Sequence, residues 1–198
     1  MARRSQAERS ADTQRRLIDT AIELLLERGW AATTAVAVCE RTGCTRGALV
    51  HHYPSLSALL ARALESLYAD LTRVPHRPAT TLTASLDAVW HAVGDPRFKA
   101  VIEAWSAAAN DPALAAELRP TIDRFAKLVS PAGVVEGPLR QADAKAFFLT
   151  AREAMLGLAL GRASNGGKAV PHERTVLNRL RAEAAALDAR SRRNGQDR

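Results

Sequence analysis

Apolar residues recur along this chain at the spacing of helix faces, and this pattern predicts helices over most of its length. The first predicted helix runs from about residue 10 to residue 28 and stops at Gly29. Its apolar positions fall at i, i+3, i+4 and i+7, namely at Ile18, Ala21, Ile22 and Leu25. We expect this helix to brace the segment that follows it.

Two short helices are predicted on either side of a break at Gly43. Thr33 or Thr34 can cap the first helix and Thr45 the second, because a hydroxyl there accepts an orphan backbone N–H. Gly43 lies where a tight turn needs positive φ, which glycine adopts without strain. The apolar residues of the pair are Val36, Val38, Cys39, Leu49 and Val50.

A glycine turn between two short helices is typical of the helix-turn-helix, whose second helix enters the major groove of DNA. Thr45, Arg46 and Tyr53 can donate hydrogen bonds from that second helix, as can His51 and His52. A plain helical hairpin with a polar face is the alternative interpretation.

Longer helices are predicted beyond Pro54, which ends the second short helix. Ser55 caps a helix that extends to about residue 73 and links the N-terminal head to the rest of the chain. Residues 74–78 form the next break, and another helix begins at Thr81.

Three prolines mark helix boundaries in the middle of the chain. Asp95 and Asp111 each precede a proline, which is the pattern of an N-cap followed by the first helical turn. Pro120 is expected to kink or divide its helix. A loop at residues 130–138 leads to two closing helices, at about 141–163 and 171–190.

The composition agrees with an all-α protein. Hydrophobic residues make up 47% and aromatic residues 5% of the 198 positions, and strong helix formers dominate. No apolar run approaches the roughly 20 residues that span a bilayer, and residues 1–10 do not resemble a signal peptide. We therefore expect a cytoplasmic protein with no membrane partner.

The net charge of +7 favours a polyanionic partner. The excess lies in the C-terminal third and in an N-terminal arm that includes Arg3 and Arg4. Such an arm can bind phosphates or enter the minor groove of DNA. A solvated, disordered tail is the alternative.

The two cysteines, Cys39 and Cys44, are too few for a disulfide framework and lack the spacing of a zinc site. Both lie where the hairpin packs, which favours a role as buried apolar filler over redox sensing.

The segment ERTGCTRGALVHHYPS, preceded by a helix that ends in Gly29-Trp30, resembles the tetracycline-repressor (TetR) family of bacterial regulators over residues 11–64. The resemblance implies a dimeric, all-α protein with a DNA-binding domain at residues 1–55 and a regulatory and dimerisation domain at residues 56–198. The implied DNA-binding residues are Arg3, Arg4, Thr33, Thr34, Thr45, Arg46, Gly47, Ala48, Val50, His51, His52, Tyr53 and Ser55.

Two positions depart from the family pattern. Val50 stands where the family usually carries Tyr, and Leu56 stands where Lys is usual. Since both family residues typically serve the DNA backbone, either the affinity for DNA is reduced or other groups supply those contacts.

The last two helices carry a dimer interface in this family, and the resemblance implies the same here. Leucine and alanine recur at 3-4-3 spacing on the last predicted helix, which suits packing against a neighbouring helix. The predicted interface residues are Leu158, Leu177, Leu180, Ala184 and Leu187. The alternative is that these residues complete the core of one monomer.

Large apolar residues of the second domain predict a small-molecule site between helices. Its candidate lining residues are Trp90, Phe98, Trp105, Phe125, Phe147, Phe148 and Met155, and its candidate polar anchors are His91, Arg124 and Arg152. For any single residue a core role is the alternative. We find no sequence motif of an enzyme, and adjacent helical positions such as His51 and His52 point about 100° apart, which suits one metal ion poorly.

The sequence therefore predicts a DNA-binding transcriptional regulator without a cofactor, metal or enzymatic activity. We expect a homodimeric repressor that leaves a palindromic operator in double-stranded DNA when an apolar or aromatic effector binds. A helical small-molecule-binding protein, or an enzyme, that has lost specific DNA reading is the alternative.

Overall fold

The computed structural model describes residues 5–73, 79–128 and 142–196, and the regular structure in these ranges is helical. This confirms the predicted all-α class. The helices are α1 (Gln6–Arg28), α2 (Ala35–Thr42), α3 (Arg46–His52), α4 (Leu56–Leu71), α5 (Leu82–Val93), α6 (Phe98–Ala108), α7 (Pro112–Leu128), α8 (Ala142–Ser164) and α9 (Glu173–Gln196). Among the described residues, none of the helices has the length and hydrophobicity of a membrane span.

Helix α1 begins four residues before its predicted start, because Ser5 and Glu8 form a capping box. The Ser5 hydroxyl accepts the Glu8 N–H at 3.1 Å, and the Glu8 carboxylate accepts the Ser5 N–H at 2.7 Å. The Ser-x-x-Glu signal was present in the sequence. Much of the predicted basic arm is therefore helical, and its residues Arg3 and Arg4 lie outside the described ranges.

Other boundaries follow the predictions in part. Asp111 caps α7 through the Leu114 N–H at 3.0 Å, as predicted. Helix α6 begins at Phe98, because the Asp95 carboxylate closes a turn on the Arg97 N–H at 2.8 Å before the helix starts. Pro120 does not divide α7, which is one helix in this structure.

The end of the chain also differs in detail. Helix α9 starts two residues after the predicted position and extends to Gln196, six residues beyond the predicted end. The predicted breaks at 74–78 and 130–138 lie outside the described residues.

The described helices pack as two compact units. The first unit contains residues 5–70 and 100–122, and the second contains residues 71–73, 79–99, 123–128 and 142–196. Helices α6 and α7 each contribute residues to both units. The predicted functional division at residue 55 differs from this division and stays a prediction.

The core of the first unit includes residues of α1, α2 and α3, and α2 packs against both of the other helices. Leu17, Leu24 and Leu25 are buried in α1, together with Val38 of α2 and Leu49 of α3. The predicted apolar face of α1 was partly wrong. Ala21 and Leu25 are buried as expected, but Ile18 and Ile22 are only half-buried because the buried face is rotated towards Leu17 and Leu24.

In the second unit, α5 packs against both α8 and α9. The buried Asp188 of α9 holds the first turn of α5. Its carboxylate accepts the Leu82 N–H at 2.7 Å, the Thr83 N–H at 3.1 Å and the Thr83 hydroxyl at 2.8 Å. A carboxylate at this position satisfies orphan amides and complements the helix dipole.

Candidate nucleic-acid interface

The turn between α2 and α3 has the geometry that the sequence predicted. Gly43 adopts φ 67° and ψ 27°, in the left-handed region that favours glycine. The Cys44 N–H donates to the Cys39 carbonyl at 3.1 Å, which makes the turn a Schellman motif. This motif ends α2, and α3 begins at Arg46, two residues after Cys44.

Threonine hydroxyls cap both short helices. The Thr34 hydroxyl accepts the Ala37 N–H at 3.2 Å at the start of α2. The Thr45 hydroxyl accepts the Ala48 N–H at 3.1 Å at the start of α3. Both caps were predicted, and each is typically worth about 1 kcal/mol of stability.

Two arginines hold the turn on α1. The Arg16 guanidinium donates to the Thr42 carbonyl oxygen at 2.5 Å. Arg41 of α2 pairs with Glu27 of α1 at 2.7 Å. The end of α2 is therefore held at two points, so the orientation of the turn is set by the long helix behind it.

Leu49 is the one buried residue of α3, and the other side chains of this helix are exposed or half-buried. Leu49 is 2% exposed, whereas Val50 is 52% exposed. The remaining predicted contacts on this surface are exposed or half-buried: Thr34, Thr45, Arg46, Gly47, Ala48, His51 and His52. The rings of His51 and His52 stand 5.1 Å apart at a steep angle. This surface combines a fixed cation, hydrogen-bond donors and an apolar side chain, which are the groups that read base edges and phosphates.

Val36 of α2 is a further exposed residue that the sequence analysis placed on an apolar face. Its side chain is 61% exposed, so it does not belong to the core. Periodicity could not distinguish these roles in a helix of eight residues, because two turns have too few positions.

Three predicted DNA-binding residues have structural tasks. Thr33 is 2% exposed, and its hydroxyl donates to the Gly29 carbonyl at 2.8 Å, so it stabilises the α1–α2 corner. Tyr53 is 8% exposed, and burial raises the pKa of its hydroxyl. Ser55 caps α4 by accepting the Ala58 N–H at 3.0 Å. Thr33 and Tyr53 are therefore buried and do not form part of the exposed surface.

The cysteine prediction also needs correction. Cys39 and Cys44 are partly exposed, and so neither is a buried filler. Among the described residues no group of three or more potential metal ligands comes together.

The residues predicted to line a ligand site differ in burial and in the unit to which they belong. Phe98, Phe125, Phe148 and Met155 are buried in the second unit, and the rings of Phe98 and Phe125 lie 5.7 Å apart. Phe147 is half-buried. Trp105 belongs to the first unit, so the predicted set does not lie within one unit.

The polar anchors of that predicted site are engaged elsewhere or exposed. His91 and Arg124 are exposed, and Arg152 pairs with Glu153 at 2.6 Å. Trp90 is half-buried under the Arg162 guanidinium, which lies 5.1 Å from its ring centre. A cavity of about 230 Å³ in the same unit has different walls: Thr80, Thr81, Asp188, Ser191 and Arg192.

The predicted dimer residues are also of two kinds. Leu158, Leu177 and Ala184 are buried within a single chain, which favours the alternative that they complete its core. Leu180 and Leu187 are half-buried. Leu160 of α8, which the sequence analysis missed, is 54% exposed near the exposed Gly157. Apolar residues on several faces of α8 were the signal that could have revealed it.

Comparisons with known proteins agree with this geometry. Residues 17–63 match the model of the family described as bacterial regulatory proteins, tetR family. The HTH-type transcriptional regulator CymR of Pseudomonas putida is 32% identical over 129 residues, which are 62% of this chain and 64% of that protein. The matched region therefore spans less than two thirds of that relative's length.

Solved structures share the fold. A transcriptional regulator from Rhodococcus has a TM-score of 0.61 at 18% identity, covering 88% of this chain and 95% of that one. The multidrug binding protein EbrR, solved with imidazole, has a TM-score of 0.54 at 18% identity and covers 84% and 93% of the two chains. The relatives named as transcriptional regulators are in line with the expectation that this chain is not an enzyme.

Proposed function

We propose that the chain is a DNA-binding transcriptional regulator of the tetR family, to whose model residues 17–63 match. The observation that carries this proposal is the exposed surface of α3. Arg46, His51 and Val50 project from a short helix whose start, turn and support are all fixed by hydrogen bonds. Such a helix is suited to insertion into the major groove.

We propose that α3 reads bases while the surrounding groups bind phosphates. Arg46 lies in the first turn of α3, where its guanidinium can approach a guanine or a phosphate. Gly47 has no side chain to hold the backbone off the duplex. The hydroxyls of Thr34 and Thr45 accept backbone N–H groups at the starts of α2 and α3. These two residues therefore position the helices, and neighbouring residues contact the bases.

The functional molecule is proposed to be a homodimer. Two recognition helices reading a palindrome need a two-fold axis and lie about 34–36 Å apart on successive major grooves. Exposed Leu160 and Gly157 on α8, together with half-buried Leu180 and Leu187 on α9, offer apolar surface for such a contact. The buried Leu158, Leu177 and Ala184 would support that surface from behind.

An effector is proposed to regulate DNA binding. EbrR is a multidrug binding protein solved in complex with imidazole, and a small, apolar or aromatic ligand of that kind suits the second unit of this chain. Because Phe98, Phe125 and Phe148 are already buried, a ligand would compete with them for the same space or displace half-buried Trp90 and Phe147. By linkage, an effector that lowers DNA affinity must itself bind less tightly to the DNA complex.

DNA binding is tested by titrating the full chain against labelled duplex from the region upstream of its own gene, at several salt concentrations. We expect sequence-selective binding, with a salt slope that falls by about one when Arg46→Ala removes a phosphate contact. Arg119→Ala, an exposed arginine of α7, is the matched control and should bind as the parent does. Parent-like binding by Arg46→Ala would remove α3 from the interface, and a lack of selective binding would favour the alternative of a binding protein that no longer reads DNA.

A further inference from the structure

The helix-turn-helix turn brings the two cysteines of the chain together. Cys39 lies three residues before the last residue of α2, Thr42, and Cys44 follows the left-handed Gly43. A Schellman motif places the side chains at these two positions in contact. The two thiols interact accordingly, and both are partly exposed. Since the sequence contains two cysteines, this pair holds every thiol of the chain.

We propose that Cys39 and Cys44 form a dithiol that a hydroperoxide oxidises to a disulfide across this turn, and that the disulfide form binds DNA more weakly. The loss of affinity rests on the DNA-binding function proposed above. The formation of the disulfide does not depend on that function.

The reaction consumes one hydroperoxide and releases one alcohol, or a water molecule when the oxidant is hydrogen peroxide, together with one further water molecule. The Cys44 thiolate attacks the terminal oxygen of the hydroperoxide, the O–O bond breaks, and the alkoxide leaves as an alcohol with the thiol proton. Cys44 is then a sulfenic acid. The Cys39 sulfur attacks it, the S–S bond forms, the S–O bond breaks, and hydroxide leaves with the Cys39 proton as water.

Thr42 is placed to assist the first step. Its hydroxyl oxygen lies 2.7 Å from the Val38 carbonyl oxygen and 3.1 Å from the Cys44 sulfur. While Cys44 is a thiol, the Thr42 hydroxyl can donate its proton to the Val38 carbonyl and accept a hydrogen bond from the thiol. Once Cys44 is a thiolate, the hydroxyl can rotate and donate to the sulfur. Desolvation and the neighbouring Cys44 thiol raise the pKa of Cys39, which keeps it protonated until the second step.

Closing the bond would move the start of α3. A disulfide has an S–S length of about 2.05 Å, much shorter than the contact between two thiols. Arg16 and Arg41 hold the end of α2 on α1. The displacement therefore falls on Cys44 and on the adjacent Thr45, whose hydroxyl caps α3. A shifted α3 cannot keep all its contacts in the groove.

The disulfide is tested on the full chain with hydrogen peroxide as the oxidant. After catalase treatment, the intact mass should be lower by two hydrogen atoms, iodoacetamide should label neither cysteine, and dithiothreitol should restore both reactive thiols. Two thiols that remain open to alkylation would overturn the proposal. A reducible cross-link between two chains in place of the internal disulfide would overturn it as well.

The effect on DNA is measured with the duplex used above. We expect the oxidised chain to bind up to about tenfold more weakly, comparable with the loss of one good base contact, and dithiothreitol to reverse the change. The double variant Cys39→Ser, Cys44→Ser should be insensitive to peroxide. If that variant does not fold, Cys44→Ser alone serves, because it lacks the thiol that attacks the peroxide and cannot form the internal disulfide.

Two results separate the parts of the proposal. An oxidised chain that contains the disulfide but binds DNA as the reduced chain does would overturn the regulatory role. An equal loss of affinity in the double variant would do the same, because the thiols would not cause it. If the reduced chain binds no DNA selectively, the proposed function fails, whereas the mass measurement still decides whether the disulfide forms.

Discussion

The Glu103 carboxylate of α6 accepts a hydrogen bond of 2.7 Å from the backbone N–H of Trp30, at the corner between α1 and α2. The fit at this corner is close, since a Cβ added to Gly29 would lie 2.9 Å from the same carboxylate. Gly29 also has φ 79°, which favours glycine. A helix outside the DNA-binding segment thus holds the backbone from which α2 begins.

Removal of this carboxylate should loosen the corner. We expect Glu103→Ala to destabilise the chain by about 1–3 kcal/mol, because it leaves the partly buried Trp30 N–H without this charged acceptor. Glu103→Gln keeps an acceptor oxygen and should lose less. Urea unfolding of the three proteins measures the difference, and an equal stability of Glu103→Ala and the parent would contradict the importance of this contact.

Gly43 is expected to stabilise the chain for a conformational reason alone. A Cβ at this position would meet nothing within 4 Å, yet φ is 67°. Gly43→Ala should therefore cost about 1 kcal/mol, and Gly43→Asn less, because asparagine tolerates the left-handed region. Gly47→Ala, at a helical glycine without positive φ, should instead stabilise the chain. Thermal unfolding that gives both alanine variants the same sign would refute this explanation.

The ion pair of Arg162 and Glu173 should make stability depend on pH. Their side chains meet at 2.6 Å, and the Arg162 hydrogen bond lowers the pKa of the Glu173 carboxyl below its usual value. A lowered folded-state pKa adds stability that is fully present above the unfolded value of about 4.3 and is lost as pH falls through the folded value. We expect Glu173→Gln to be destabilised by about 1–3 kcal/mol at pH 7.

The difference between Glu173→Gln and the parent should shrink in acid, since the parent then carries a neutral carboxyl as well. Urea unfolding at neutral pH and below pH 4 measures this. Trp90 fluorescence gives a local signal, because Arg162 lies over its ring. A difference that stays constant over this range would assign the effect to packing and not to charge.

A dimer should depend on the exposed face of α8. We expect Leu160→Arg to weaken self-association by about 2 kcal/mol, because it places a charge in the proposed apolar contact. Ala116→Arg puts the same charge at an exposed position of α7 and should leave association unchanged. Sedimentation velocity distinguishes the two, and circular dichroism checks that both stay helical. An undisturbed dimer in Leu160→Arg would place the contact elsewhere.

Val50 offers a test of how α3 meets DNA. Its side chain is 52% exposed on the proposed reading surface. We expect Val50→Tyr to tighten binding, because a phenol at this place can reach the DNA backbone as in the family pattern. Val50→Phe keeps the ring without the hydroxyl and is the matched control. Equal affinities of Val50→Tyr and Val50→Phe would show that the hydroxyl makes no such contact.

Local chemistry made part of the site predictable. Thr34, Thr45 and Gly43 act within four residues of themselves, so the sequence alone was sufficient to place both caps and the turn. The burial of Thr33 and Tyr53 was not predictable in this way, because it depends on helices that pack against them. The Glu103–Trp30 contact joins residues 73 positions apart, and no periodicity carries that information.

The hydrogen bonds between Asp188 and the first turn of α5 affect the order in which the two units fold during synthesis. Leu82 and Asp188 are 106 positions apart, so α5, whose local N-cap is Thr81, leaves the ribosome long before the Asp188 carboxylate that accepts its first amides. The α1–α3 segment needs no such distant partner for its own caps and turn. We expect the nascent DNA-reading segment to acquire its shape first, and the second unit to wait for α9, exposing apolar surface that chaperones recognise. A protease pulse during translation would find α5 sensitive until residue 188 emerges.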